Sequence, residues 1–395
     1  MDVLSIFLIV FSPYLAILPM AIIGFNIIIK NNCILLRNIW NIGLLFLFVW
    51  SFFVGIINVD IVSTLASFVI LFYFFVCIYL QNHYNTVEQI EKLFKNIMLI
   101  SIGSGFIGII EGITEIHYNF SWWKYLLGIY PFLPFEEKYR ISGTFGNPNV
   151  AGTWYAAMVL ICFYFYQNAS KVKKVFYTSV ALLFMTGLIM TGSRGAVIGL
   201  LIGLITYAYF IEDKKKMIFL ILILLSGIAL MLNFPHYFPR GRGIFISIKD
   251  RRMIWKNCFN MFEIKPITGW GLMGIYFAKG DVFDYVRTVH GHNIWITIGT
   301  TLGSVGLSAF ICMQCYLFNE TRLLRQHHCS LVHLLAGLEA IVLAQGLVDF
   351  TIISPQGGII FFGCSALISS LAFQYRNISV DEYFSIPLLQ RIKNK

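Results

Sequence analysis

The feature that most constrains this chain is a succession of apolar runs, each about as long as a helix needs to cross a bilayer, roughly 20 residues at 1.5 Å per residue. They lie near 3–29, 39–57, 61–80, 93–113, 149–166, 174–190, 194–211, 217–234, 293–318, 331–353 and 357–374. Backbone N–H and C=O groups find no water inside hydrocarbon, so such runs fold as helices that satisfy those groups internally. The expectation is an all-α, polytopic helical membrane protein with about 11 spans, within the range 10–12. The first run contains Pro13 and Pro19, which break it into a re-entrant pair or two short spans if they break it at all. It lacks a small-residue cleavage pattern and reads as retained rather than as a signal peptide. Charged residues make up only 12% of the chain and the mean hydropathy is +0.76, which excludes an ordinary water-soluble domain.

A net charge of +10 would suggest a nucleic-acid binder in a soluble protein. In a polytopic chain the placement of each base matters more. Assigning alternate connections to one side collects Lys30, Arg37, Lys92, Lys95, Lys171, Lys173, Lys174, Lys214, Lys215, Lys216, Arg322 and Arg325 with the tail's Arg376, Arg391, Lys393 and Lys395. These are sixteen of the 29 basic residues, and the positive-inside rule makes their side cytoplasmic. The short opposite connections 58–60 and 354–356 contain no Lys or Arg. The whole chain reads as one membrane domain, 1–395, with a first outer loop at 114–148, a large outer loop at 235–291 before the ninth span, and a cytoplasmic tail at 375–395.

Twelve of the other thirteen bases crowd into the two outer loops, and Arg194 is the thirteenth. Long translocated loops escape the charge rule, so these are either merely solvated and basic or an outward-facing anion site. The first loop also holds Trp122, Trp123, Tyr125, Tyr130, Phe132 and Phe135, suited to an interface or a sugar face. Of the eight cysteines only Cys258 lies in an outer loop, which leaves it no outer partner for a disulfide. Cys312 and Cys315 have CxxC spacing inside an apolar helix, where packing explains them and no metal is expected.

Four constellations stand out. Thr191-Gly192-Ser193-Arg194-Gly195 puts a guanidinium where the chain re-enters the bilayer, to snorkel or to serve a site. Gly195, Gly199 and Gly203 follow at a spacing of four, one helix face for close packing. Asp250-Arg251-Arg252-Met253-Ile254-Trp255 reads as an amphipathic helix and Pro266-Ile267-Thr268-Gly269-Trp270-Gly271 as the turn after it. Its arginines are a solvated face or a fork for phosphate oxygens. His290-Gly291-His292-Asn293 opens the ninth span, ahead of Gly303 and Gly306 on the same helix. Its histidines are either hydrogen-bonded structural groups or proton acceptors. Arg140 to Gly152 closes the first outer loop, and Asn147-Pro148-Asn149 has helix-start chemistry.

Taken together these segments resemble the O-antigen ligase and polymerase superfamily. The matching features are Gly-Thr-Phe-Gly-Asn-Pro-Asn, Thr-Gly-Ser-Arg-Gly, Arg-x-x-x-Trp followed by Pro-x-x-Gly-x-Gly, and His-Asn with glycines eleven and fourteen residues on, across 140–310. The resemblance implies a glycosyltransferase of the inner (plasma) membrane that moves an oligo- or polysaccharide from a polyprenyl pyrophosphate to an acceptor sugar on the outer (periplasmic) face. It implies His292, Arg194 and Arg251 as the catalytic positions, since Arg251 stands four before Trp255 and His292 directly precedes the Asn. Arg252 and His290 are second choices, and Arg140, Arg242, Asn293 and Asp349 are expected at the substrate. Asp349 would orient His292, bind a sugar or pair with an arginine. No cofactor and no metal is expected. The partners are the lipid-linked donor, a glycan or glycolipid acceptor and membrane lipids, with no nucleic acid.

Two departures accompany the resemblance: Thr301 stands where many relatives carry an acidic residue, and eleven spans replace the usual twelve. The ligase-like reading has the repeat-unit polymerase of the same superfamily as its alternative. A lipid-linked glycan flippase or transporter is the reading from another class, and it would place broken helices and polar residues near the midplane.

Overall fold

The computed structural model describes residues 2–31, 38–114, 140–237, 244–278 and 288–379. Arg242, the aromatic residues from Trp122 to Phe135 and the tail from 380 lie outside them.

Among the described residues every regular element is helical. The helices are α1 (Asp2–Phe11), α2 (Pro13–Asn31), α3 (Ile39–Ile57), α4 (Ile61–Ala66), α5 (Phe68–His83), α6 (Val87–Thr114), α7 (Pro148–Gln167), α8 (Lys171–Met190), α9 (Arg194–Phe210), α10 (Lys214–Asn233), α11 (Ile244–Ile264), α12 (Gly274–Phe277), α13 (Ile294–Gln326), α14 (Val332–Gln345) and α15 (Pro355–Ser379). Eight helical segments, α4 and α5 counted as one, are long and apolar enough to cross a membrane, and shorter apolar helices occupy Tyr14–Lys30, Arg194–Phe210 and Val332–Gln345. The protein is therefore an all-α polytopic membrane protein. Many of its large apolar side chains face outward, and α10 buries none of its residues, as a helix bathed in lipid can afford.

The run 61–80 divides at Ser67 between α4 and α5, and three more runs depart from single straight helices, each for a local reason. The first breaks at Ser12, with Pro13 starting α2, while Pro19 is accommodated inside it. The tenth run stops at Gln345 rather than continuing to 353, and an irregular connection with a short 3-10 turn at Thr351–Ile353 follows. The ninth is interrupted at Gly303, whose φ of 66° and ψ of −169° lie outside helical space. The turn at 266–271 docks on that break. Trp270 N–H and Gly271 N–H donate to the carbonyls of Thr300 (3.1 Å) and Thr301 (2.8 Å), and Ser304 N–H donates to Pro266 (2.7 Å). The Trp50 indole donates to the carbonyl of Leu302 at 2.8 Å. Protein groups thus bond the backbone that the break exposes, as membrane depth requires. A Cβ on Gly303 would stand 2.1 Å from the Ile267 carbonyl oxygen, so no larger residue fits the docked turn.

The glycine face of α9 behaves as its spacing suggests. Added Cβ atoms at Gly199 and Gly203 would meet carbonyls of α14, those of Ile341 and Gly337, at 2.8 Å. Gly195 lies as closely against Val348, just beyond α14. The two helices therefore approach to backbone contact. Cys312 and Cys315, by contrast, are exposed on α13 rather than packed.

Candidate active site

The start of α13 is where distant segments meet. Asn293 caps the helix, its Oδ1 accepting from Trp295 N–H (2.9 Å) and Ile296 N–H (3.0 Å). Its Nδ2 donates to the Leu347 carbonyl at 2.9 Å, and Ile294 N–H donates to Gly346 at 2.7 Å. These bonds stitch the helix start to the connection after α14. Asn293, expected at the substrate, thus spends both ends of its amide on the fold.

His292 adopts a φ of 48°, in the sparsely populated left-handed region. Its Nδ1 lies 3.1 Å from Asp349 Oδ1. Asp349 is almost fully buried while His292 is partly exposed. Burial raises the Asp349 pKa, but the hydrogen bond from His292, the charges of both histidines and the bond from Phe350 N–H outweigh it and hold the group at about 2. A carboxylate at neutral pH fixes the imidazole with Nδ1–H toward Asp349, leaving Nε2 to accept a proton.

His290 stacks edge-on against His292, ring centroids 4.5 Å apart, and its Nδ1 accepts from His292 N–H at 3.2 Å. Burial, and then the neighbouring His292, pull its pKa down to about 4 against the opposing pull of Asp349, so it is neutral at physiological pH. One donor atom each from His290, His292 and Asp349 lie within 4.8 Å of one another, close enough to hold a metal ion. Sequence alone suggested no such cluster. A metal there would displace the His292–Asp349 hydrogen bond or share its atoms.

Two further elements reach the same point. On α11 the Trp255 indole donates to the Gly291 carbonyl at 2.9 Å, beside His292. Ile254, Cys258 and Met261 of that helix form a small buried cluster with Ile275. Arg251 lies one turn before Trp255, partly buried, and one guanidinium nitrogen is 3.2 Å from Ser247 Oγ. Arg252 is exposed on the same helix. From the other side, α9 begins at Arg194, and its neighbour Gly195 packs against Val348, next to Asp349 in the chain. Arg194 is half-buried and borders an apolar cavity of about 340 Å³ between α9 and α10.

Arg140 is buried. Its Nε donates to the Thr191 carbonyl at 2.7 Å and a terminal nitrogen donates to Asn149 Oδ1 at 2.6 Å. It holds the turn that leads into Arg194 against the start of α7, a strut rather than an open ligand arm. Asn147 caps α7, with Pro148 in its first turn, as the Asn-Pro-Asn pattern predicts.

Two polar groups that the motifs did not single out complete the frame. Gln345 at the end of α14 donates to the Asn149 carbonyl at 3.0 Å and accepts from Thr153. Glu111 of α6 accepts from Ser142 N–H (3.0 Å) and Gly143 N–H (2.6 Å). Glu111 was visible as an acid within an apolar run. Gln345 gave no signal beyond its polarity.

The fold and this site define a polytopic helical membrane protein with a His–Asp pair where the start of α13 meets the connection after α14, and with the helices that carry Arg194 and Arg251 packed beside it. Residues 179–311 match the family model described as O-Antigen ligase. That match, over about a third of the chain, supports a likeness to the O-antigen ligase and polymerase superfamily, whose members are glycosyltransferase-like enzymes. The matched stretch includes Arg194, Arg251, His292 and Gly303, while Arg140 and Asp349 fall outside it. No curated protein matches the chain.

Proposed function

We propose that this protein transfers an oligo- or polysaccharide from a polyprenyl pyrophosphate donor to the hydroxyl of an acceptor sugar on the outer face of the inner membrane, in the manner of an O-antigen ligase. The observation that carries the reading is the His292–Asp349 pair at 3.1 Å, set where α9, α11 and the connection after α14 converge. His292 takes the acceptor hydroxyl proton on Nε2 as the oxygen attacks the anomeric carbon, a role worth roughly 10²–10⁴ in rate. The bond from that carbon to the pyrophosphate oxygen breaks, and Arg194 and Arg251 balance the charge left on the departing group. Asp349 holds the ring and stabilises the imidazolium formed in the step. Arg252, Arg242 and His290 stand as substrate contacts in this scheme, whereas Arg140 and Asn293 act by positioning. The mechanism assigns no role to a metal.

The transporter reading requires broken helices that offer backbone groups to a substrate. The break at Gly303 instead gives its carbonyls to Trp270, Gly271 and Trp50, which favours the enzyme.

Purified His292→Ala protein tests the reading with a lipid-linked glycan donor and an acceptor glycolipid. The variant should insert and accumulate normally yet form no product, and wild-type turnover would end the proposal. Gene deletion separates the ligase from the polymerase: full-length polymer left on the lipid means ligase, and single repeats on the acceptor mean polymerase.

A further inference from the structure

A second polar locus opens toward the end of the bundle where α9 and α13 end. A cavity of about 380 Å³ is bordered by Thr206 and Tyr209 of α9, Gln314 and Thr321 of α13, and Glu339 and Ala340 of α14. Its lining extends to Phe210 in the last turn of α9 and Met217 in the first turn of α10, the level at which helices leave the hydrocarbon. Glu339 sits halfway along α14, roughly 10 Å from either end at 1.5 Å per residue. It is buried, and its Oε2 has no hydrogen-bond partner among the described residues. The same holds for Nε2 of Gln314.

The other carboxyl oxygen of Glu339 bonds to Ser365 Oγ on α15, and Ser365 Oγ also lies 2.8 Å from the Phe361 carbonyl. A hydroxyl has one hydrogen. Ser365 can give it to Glu339 or to the Phe361 carbonyl, so both contacts are hydrogen bonds at once only when the carboxyl carries a proton of its own. No Lys, Arg or His lines the cavity among the described residues, so an ionised Glu339 would lack a counter-charge at membrane depth. Tyr209 is the other titratable lining residue, and Cys77 of α5 and Cys364 of α15 are the thiols whose charge would couple to Glu339.

We infer that this cavity is a hydrated vestibule and that Glu339 is its proton-binding carboxyl, exchanging with water at the end of the bundle opposite the His292 site.

N,N′-dicyclohexylcarbodiimide, which attacks protonated carboxyls in apolar surroundings, tests this on the full-length protein in lipid vesicles. Mass spectrometry should find an N-acylurea adduct on Glu339 in the wild type, decreasing as pH is raised. The adduct should fall at least tenfold in Ala340→Phe, which fills the cavity and leaves the carboxyl in place, and partially in the milder Ala340→Leu. Failure to label Glu339 at any pH, equal labelling in all three proteins, or protection by Na⁺ rather than by alkaline pH would each overturn the inference.

Discussion

Asp349→Asn removes the charge facing His292 while keeping nearly the same shape. If His292 becomes an imidazolium during transfer, a unit charge 3.1 Å from the Asp349 carboxylate is worth about 5 kcal/mol at an effective dielectric constant of ~20. Proton transfer is incomplete at the transition state and His292 is partly exposed, so about half of this is realised, or 2–3 kcal/mol. A lost charge-assisted hydrogen bond gives the same range, about 1.5–3 kcal/mol. At roughly 1.4 kcal/mol per decade, kcat should fall about a hundredfold with little change in KM. The assay is turnover of a lipid-linked donor by purified protein in lipid, with product resolved on a gel. Because the two residues act as one unit, Asp349→Asn should cost little more in a His292→Ala background. Wild-type kcat in Asp349→Asn, or a full additional hundredfold loss in the double variant, would refute the coupling.

Arg194→Ala or Arg251→Ala should lose turnover selectively and Lys should restore part of it, as donor-dependent product formation will show. His290 releases its proton only at about 4 when folded, against an ordinary 6.5, so the unfolded chain binds the proton first as pH falls. Stability should therefore decline from pH ~6.5 to ~4 by up to about 1.4 kcal/mol per unit, a slope that His290→Gln should abolish in thermal unfolding scans. Gly303→Ala forces a side chain into a backbone conformation almost confined to glycine and against a carbonyl, so it should cost at least 1–3 kcal/mol and lower the melting temperature, whereas Gly227→Ala, with open space around it, should not. Activity should survive prolonged chelation; its loss, restored by a divalent ion, would instead assign His290, His292 and Asp349 to a metal.

Much of the architecture was legible because the bilayer imposes a local rule. Each long apolar run had to become a helix, and the caps at Asn147 and Asn293 lie in the few residues that start one. The breaks were less legible. Pro13 announced the first, but the interruption at Gly303 depends on a turn more than thirty residues earlier that supplies replacement hydrogen bonds, which no window around the glycine contains. At the site, the motifs nominated His292, Arg194 and Arg251 one by one. Arg140 and Asn293 looked equally available for substrate, and only their hydrogen-bond partners assign them to the frame.

The sequence by itself determined the solvent of this protein, its helical class and the residue types able to hold a pyrophosphate and accept a proton, since hydropathy and charge belong to each residue wherever it lies. Tertiary structure alone decided that Asp349 meets His292, that Trp255 ties α11 to the residue beside it, and that Gly195 brings the start of α9 to the same connection. Those are contacts between segments far apart in the chain, fixed by backbone approach and hydrogen bonds rather than by any local pattern.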